Sequence, residues 1–225
     1  MREAYRQQLD EINNRVIGMV RAVSDQIAGA THALLSADLE SAEKVLSDDD
    51  WVDREQMEID EAILTLLATQ SPVAGELRAV TSAMRMTLDI ERMGDLAGHI
   101  AKVARMRYPE SAVPPELRDT FAEMGNVADA MIGKAIDVLT TRDVSAAAKL
   151  DDDDSVMDRL HRSLFVALMD DNWTGGVEAA VDIALLGRYY ERFADHVVEI
   201  AGHIGYLVTG ELEWADIPHG TTGTA

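Results

Sequence analysis

The chain contains no cysteine, so disulfides and thiolate metal ligands are both excluded. Aromatic residues make up only 5% against 47% hydrophobic residues overall. The core must therefore be built from Ala, Val, Leu, Ile and Met, a mixture that favours close-packed helices over sheets. Positive charge is also scarce: 20 Lys and Arg stand against 41 Asp and Glu, a formal charge of −21. Such a chain repels nucleic-acid phosphates at long range, and free phosphate for the same reason; no direct nucleic-acid contact is expected, and cations and basic protein surfaces are its natural partners. No apolar run is long enough to span a bilayer, and the polar start Met1-Arg2-Glu3-Ala4-Tyr5-Arg6 is not a signal peptide. A cytoplasmic location is the expectation.

Proline is limited to five residues, and their places are informative. Pro72 interrupts Gln70-Ser71-Pro72-Val73-Ala74-Gly75. Pro109, Pro114 and Pro115 mark the clearest linker, and Pro218 lies in the C-terminal tail. Between these breaks apolar residues recur at three- and four-residue steps, the helical period. Six helices are predicted, over about 2–36, 38–69, 73–107, 115–141, 144–171 and 174–208. Asp38 and Thr174 are the expected N-caps, and Pro115 the first-turn residue. The tail 210–225 is expected to be disordered.

The helices before the proline linker resemble those after it. Asp38-Leu39, Lys44-Val45, Asp48-Asp49 and Asp53-Arg54 match Asp143-Val144, Lys149-Leu150, Asp153-Asp154 and Asp158-Arg159 at an offset of 105. Glu91-Arg92, Asp95 and Ile100-Ala101 match Glu191-Arg192, Asp195 and Ile200-Ala201 at an offset of 100. A break five residues shorter between the second and third helices of the later half would explain the change. The fold class expected is all-α: two similar three-helix bundles from an internal duplication, residues 1–108 and 115–209, each with its own core or packed end to end.

The repeats carry acidic pairs at a spacing of four, which places both carboxylates on one helix face. They are Asp49/Asp53, Glu91/Asp95, Asp154/Asp158 and Glu191/Asp195. Chance placement of 41 acids gives about seven pairs at this spacing, so one pair means only a solvated face. Recurrence at equivalent places means more. So does the apparent continuation of apolar stripes: Leu77, Val80, Met84, Leu88 into Glu91, Asp95, Gly98; Val177, Val181, Ala184, Arg188 into Glu191, Asp195, Val198, Gly202; Ala42, Leu46 into Asp49, Asp53, Gln56. Acids on a packing face are costly unless paired or metal-bound. In each half four carboxylates are expected to converge on cations such as Mg²⁺, Mn²⁺, Ca²⁺ or oxidised iron. The competing account has Arg92, Arg188 and Arg192 neutralise them. His99, His161, His196 and His203 read more readily as satisfied polar residues than as ligands. The run Asp151-Asp152-Asp153-Asp154 lacks the glycine and spacing of an EF-hand. No P-loop, dinucleotide fingerprint or nucleophile elbow is present, and only Asp158-Arg159-Leu160-His161 approaches a di-iron motif.

The segments Asp89-Ile90-Glu91-Arg92-Met93-Gly94-Asp95-Leu96-Ala97 and Arg188-Tyr189-Tyr190-Glu191-Arg192-Phe193-Ala194-Asp195-His196 resemble the two signature stretches of the PhoU family. Gln70-Ser71-Pro72-Val73-Ala74-Gly75-Glu76-Leu77-Arg78 does so too. The resemblance spans about residues 5–208. It implies two three-helix bundles with paired motifs that hold multinuclear clusters of Fe, Mn, Mg or Zn. Here these are Asp49, Asp53, Glu91 and Asp95, then Asp154, Asp158, Glu191 and Asp195. Asp89 is a weaker candidate because its counterpart is Tyr189. Arg85, Arg92, Arg188 and Arg192 are expected to meet partner acids or position the carboxylates. The resemblance also implies a non-catalytic negative regulator of phosphate uptake and of the phosphate-starvation response, linking the ATPase subunit of the phosphate ABC transporter to its sensor histidine kinase. A homodimer that reaches the membrane only through partners is expected. The rival readings are a carboxylate-rich metal-dependent helical enzyme and a metal-free helical dimerisation module.

Overall fold

The computed structural model describes residues 2–70, 72–143 and 150–210; the expected disordered tail from 211 and the start of the fifth helix lie outside them. Among the described residues there are six α-helices and no strand: α1 Arg2–Ser36, α2 Leu39–Gln70, α3 Gly75–Arg107, α4 Arg118–Thr141, α5 Leu150–Leu168 and α6 Gly176–Thr209. A 3₁₀ turn at Pro115–Leu117 leads into α4, with proline in its first turn where a missing N–H costs nothing.

Asp38 caps α2 as its position predicts. Its Oδ1 accepts from the backbone N–H groups of Glu40 and Ser41 at 3.0 and 3.3 Å. Thr174 does not cap α6; Gly175 precedes the helix with no side-chain cap. The fifth helix ends at Leu168 rather than near Asp171, because Asp170 Oδ1 takes the Asn172 backbone N–H at 2.7 Å and its side-chain amide at 2.8 Å. This local turn competes with helix continuation. The change of repeat offset therefore falls in a shortened α5 and not in a shorter connection. The link from α5 to α6 is in fact longer than that from α2 to α3.

Helix α1 packs on α2, α3 and α4, while α6 packs on α3, α4 and α5. The repeats thus meet through α1 against α4 and α3 against α6, each helix facing its own counterpart. They lie side by side over one continuous core, not end to end over separate cores. Close approach of α1 and α4 depends on Gly125, where a Cβ would fall 2.4 Å from Thr31 Cγ2. Tyr190 of α6 is fully buried beside Phe121 of α4, and its hydroxyl lies 2.8 Å from Thr31 Oγ1 of α1. Thr31 already donates to the Ile27 carbonyl, so Tyr190 is the donor. Arg107 at the end of α3 reaches Asp182 at 2.6 Å and also Glu178, both on α6.

The apolar stripes read from the sequence are only partly buried: Ala42, Val80 and Gly98 are buried. Leu77, Leu88, Val177 and Val181 are exposed. In α3 the buried residues include Val80, Ala83, Met86, Thr87, Asp89, Ile90, Met93, Gly94, Leu96, Ala97, Gly98, Ile100 and Ala101. Packed by three neighbours, α3 buries a wide sector, and the line through Glu91 and Asp95 runs along its edge. Of the paired acids, Asp49, Glu91, Asp95, Asp154 and Glu191 are accordingly half-buried in grooves, while Asp53, Asp158 and Asp195 are exposed.

Candidate functional site

In the first half, α2 and α3 bring Asp49, Asp53, Glu91 and Asp95 near enough for their charges to act on one another, with Asp53 exposed and no three of them offering ligand atoms within 4.8 Å of one another. Asp49 is half-buried, and its carboxyl is pushed up to about 6 by burial first, then by Asp53, Asp95 and Glu91, with Lys102 opposing. Glu91 is raised by burial, with Asp95 and Asp53 adding and Arg92 opposing. Mutual repulsion of this kind is the signature of carboxylates converging without enough counter-charge.

Small residues make the seat for Asp49. A Cβ at Gly94 would lie 3.0 Å from Asp49 Oδ1 and 3.2 Å from Gln26 Oε1, and one at Gly98 would lie 3.4 Å from Asp49 Oδ2. The carboxylate therefore rests directly on the α3 backbone, with the α1 residue Gln26 beside it. Asp49 Oδ1 and both polar atoms of Gln26 are buried without a hydrogen-bond partner, and Gln26 is only 3% exposed. Buried polar atoms without partners cost about 1–3 kcal/mol each, and a cation would satisfy the two oxygens, Asp49 Oδ1 and Gln26 Oε1, leaving the Gln26 Nε2 donor for a carboxylate or water. Gln26 was not anticipated from the sequence. Its place on α1 opposite Gly94 becomes visible only once α1 and α3 are packed.

The second half is built differently. Glu191 is pushed up to about 7, by burial and then Asp195, with Arg188 opposing and Asp158 adding. Asp158, Glu191 and Asp195 thus gather between α5 and α6. Asp154 is half-buried on α5, but it is not among the charges acting most strongly on Glu191 or Asp195. The counterparts of Gly94 and Gly98 are Ala194 and Val198, so the backbone seat is filled with side chains. Arg188, whose counterpart is Leu88, forms an ion pair with Glu191. The neighbouring Asp153 is engaged by Lys134 of α4.

Of the predicted arginines, Arg92 lies along its own cluster, 3.1 Å from Asp95 and 3.5 Å from Glu91. Arg188 does so in the second half. Arg192 is exposed and acts on Asp195 through its charge. Arg85 is exposed on α3, six residues before Glu91.

Asp89 does not join the first cluster. It faces the other repeat, where His196 Nδ1 lies 3.1 Å from Oδ1 and His203 Nε2 lies 3.1 Å from Oδ2. Burial works against its charge, but hydrogen bonds from His196 and His203 outweigh that and hold Asp89 well below the usual carboxylate range. Glu199, raised by burial and then by contact with Asp89, completes the group. His196, Glu199 and His203 fall at steps of three and four on α6, a same-face spacing that the sequence did offer. Their partner on α3 was not readable from it.

A PhoU domain family model matches the chain twice, at residues 16–104 and 121–204. Phosphate-specific transport system accessory protein PhoU homolog 2 of Mycobacterium tuberculosis is 47% identical over 210 residues, covering 93% of this chain and 99% of that protein. Homolog 1 of Mycobacterium leprae is 45% identical over 221 residues, 98% of this chain and 100% of that one. The crystal structure of PhoU from Pseudomonas aeruginosa superposes with a TM-score of 0.83 at 28% identity, covering 92% of this chain and 100% of that chain.

Proposed function

This chain belongs to the PhoU family, and on that premise we propose that it is an accessory protein of a phosphate-specific transport system. Within that role it is a negative regulator of phosphate uptake and of the phosphate-starvation two-component response. It acts as a metal-binding adaptor between the ATPase subunit of the phosphate ABC transporter and the phosphate-sensing histidine kinase. It works at the cytoplasmic face, as a homodimer, and carries out no reaction of its own. Among the described residues no helix is long and apolar enough to cross a membrane, which suits contact through partners.

The observation that carries metal binding is the seat of Asp49 on Gly94 and Gly98 beside the unpartnered Gln26. An acidic set with one neutral amide oxygen has the chemistry a hard cation takes, and binding would draw the carboxylates closer, since no three of these acids offer ligand atoms within 4.8 Å of one another. Asp49, Asp53, Glu91 and Asp95 would hold the cation, with Gln26 Oε1 as a neutral donor. An all-oxygen set suits Mg²⁺, Mn²⁺ or iron. When bound, the ion supplies positive charge that ties α2 to α3 and shapes the acidic surface a partner reads. In the second half Asp158, Glu191 and Asp195 would do the same less tightly, because Ala194 and Val198 fill the place of the glycine seat. The resulting order of affinity is first half above second.

Gly94→Ala separates the seat from the fold. Alanine in a helix interior gains up to about 1 kcal/mol over glycine, so stability should hold. The added methyl must push Asp49 and Gln26 aside by a few tenths of an ångström, a displacement that metal sites tolerate poorly. Mn²⁺ affinity by calorimetry is expected to fall at least tenfold; unchanged affinity would remove the seat from the account. The adaptor role is tested by co-purification with the transporter ATPase subunit and the kinase sensor region at high phosphate. Binding to either supports it, and binding to neither contradicts it.

A further inference from the structure

The α3–α6 crossing relates two equivalent places by the repeat. At one, Asp89 of α3 meets His196, Glu199 and His203 of α6. At the other, the counterpart positions are Tyr189 on α6 and Leu96, His99 and Val103 on α3. There Tyr189 and His99 simply stack, with ring centroids 5.2 Å apart and planes inclined by 23°. Helix packing at this crossing is therefore satisfied by one stacked pair. Four ionisable groups on the opposite side exceed what packing requires.

Their arrangement is that of a coordination site. One ligand atom each from Asp89, His196 and Glu199 lies within 4.8 Å of the others. Asp89 Oδ1 to His196 Nδ1 is 3.1 Å, and His196 Nδ1 to Glu199 Oε2 is 3.7 Å. Tetrahedral zinc with bonds of about 2.0–2.1 Å places neighbouring ligand atoms about 3.3 Å apart, between these two separations. His203 Nε2 holds the second oxygen of Asp89 at 3.1 Å. A hydrogen bond to the far oxygen of a ligating carboxylate is the usual outer support of a metal site. Asp89 and His203 are buried, whereas the Glu199 side chain is 47% exposed. The site thus has a rigid floor and access from solvent. An imidazole nitrogen among carboxylates favours Zn²⁺-like ions over Mg²⁺ or Ca²⁺.

We propose that Asp89, His196 and Glu199, with His203 supporting Asp89, form a mononuclear Zn²⁺-type site that clamps the two repeats together. It is distinct from the carboxylate clusters, takes a softer class of ion, and does not depend on the regulatory reading. Three protein ligands leave a fourth position for water or a partner's side chain.

Equilibrium dialysis with Zn²⁺ on the full chain tests this, comparing wild type, Glu199→Gln, His196→Gln and the cluster variant Asp49→Asn/Glu191→Gln. Glu199→Gln changes an exposed side chain and will fold. Each site variant is expected to lose one tight Zn²⁺ equivalent by at least a tenfold drop in affinity, while the cluster variant keeps it. With Co²⁺ as probe, wild type should show a strongly shifted exchangeable imidazole N–H proton resonance that His196→Gln lacks. The proposal is overturned if either Glu199→Gln or His196→Gln retains the wild-type number and affinity of Zn²⁺ equivalents. That result would leave a hydrogen-bonded latch and would not touch the cluster account.

Discussion

In the presence of a chelator, the Asp49→Asn/Glu191→Gln variant is expected to melt above the wild type at pH 7.5 and to match it at pH 4.5. Folding raises the Asp49 carboxyl to about 6 and the Glu191 carboxyl to about 7 from ordinary values near 4. A raised acid keeps its proton in the native state at pH values where the unfolded chain has lost it. Its favourable contribution is complete below pH 4 and is lost as pH rises through 6 to 7. Above that window both groups are ionised at a cost. Both are only partly buried, and solvent screening cuts the nominal linkage to roughly 1–2 kcal/mol per group. Neutral isosteres escape the cost, and for a chain of this size the gain is about 4–16 °C in Tm. His99 and His161, both lowered first by burial, titrate with the opposite sign in the same window. The difference between variant and wild type is therefore the quantity to read. Saturating Mn²⁺ should reverse the order, since only the wild type keeps the full ligand set.

Replacing Tyr190 with Ala is expected to lower stability by about 3–5 kcal/mol, the range for removing a large buried ring, or roughly 6–20 °C in Tm. The side chain is wholly buried at the point where α1, α4 and α6 meet. Its loss opens a cavity shared by both repeats, so thermal unfolding should remain a single transition while shifting down. Tyr190→Phe removes only the bond to Thr31 Oγ1 and should cost about 1 kcal/mol. Two separate transitions in Tyr190→Ala, with the first repeat melting at the wild-type temperature, would show that the halves have independent cores after all.

The sequence made some of this legible and hid the rest for identifiable reasons. Helix number and the duplication could be read because proline breaks and repeated acid pairs are local signals. The Asp38 cap was readable for the same reason. The end of α5 was missed because an aspartate-centred turn at Asp170 looks like ordinary helix surface until its side chain is seen to accept from Asn172. The stripe through Leu77, Leu88, Glu91 and Asp95 was misassigned because α3 is packed on three sides, where a narrow amphipathic stripe is the wrong template. The difference between the clusters was hidden in small substitutions. Gly94 and Gly98 against Ala194 and Val198 look conservative in a row of letters, yet they decide whether Asp49 can lie on the backbone. Gln26 and Asp89 act across long sequence separations, so their partners emerge only from the packing of α1 and α6 on α3.

Metal content per chain, measured by elemental analysis after purification without chelator, tests the cation seat most directly. The wild type and the Asp49→Asn/Glu91→Gln variant should be compared at equal fold content by circular dichroism. The seat between α2 and α3 predicts at least one bound Mg²⁺, Mn²⁺ or iron ion that the wild type retains and the variant loses. Equal metal content in the two proteins would mean that the converged acids of α2 and α3 are a solvated groove and not a binding site.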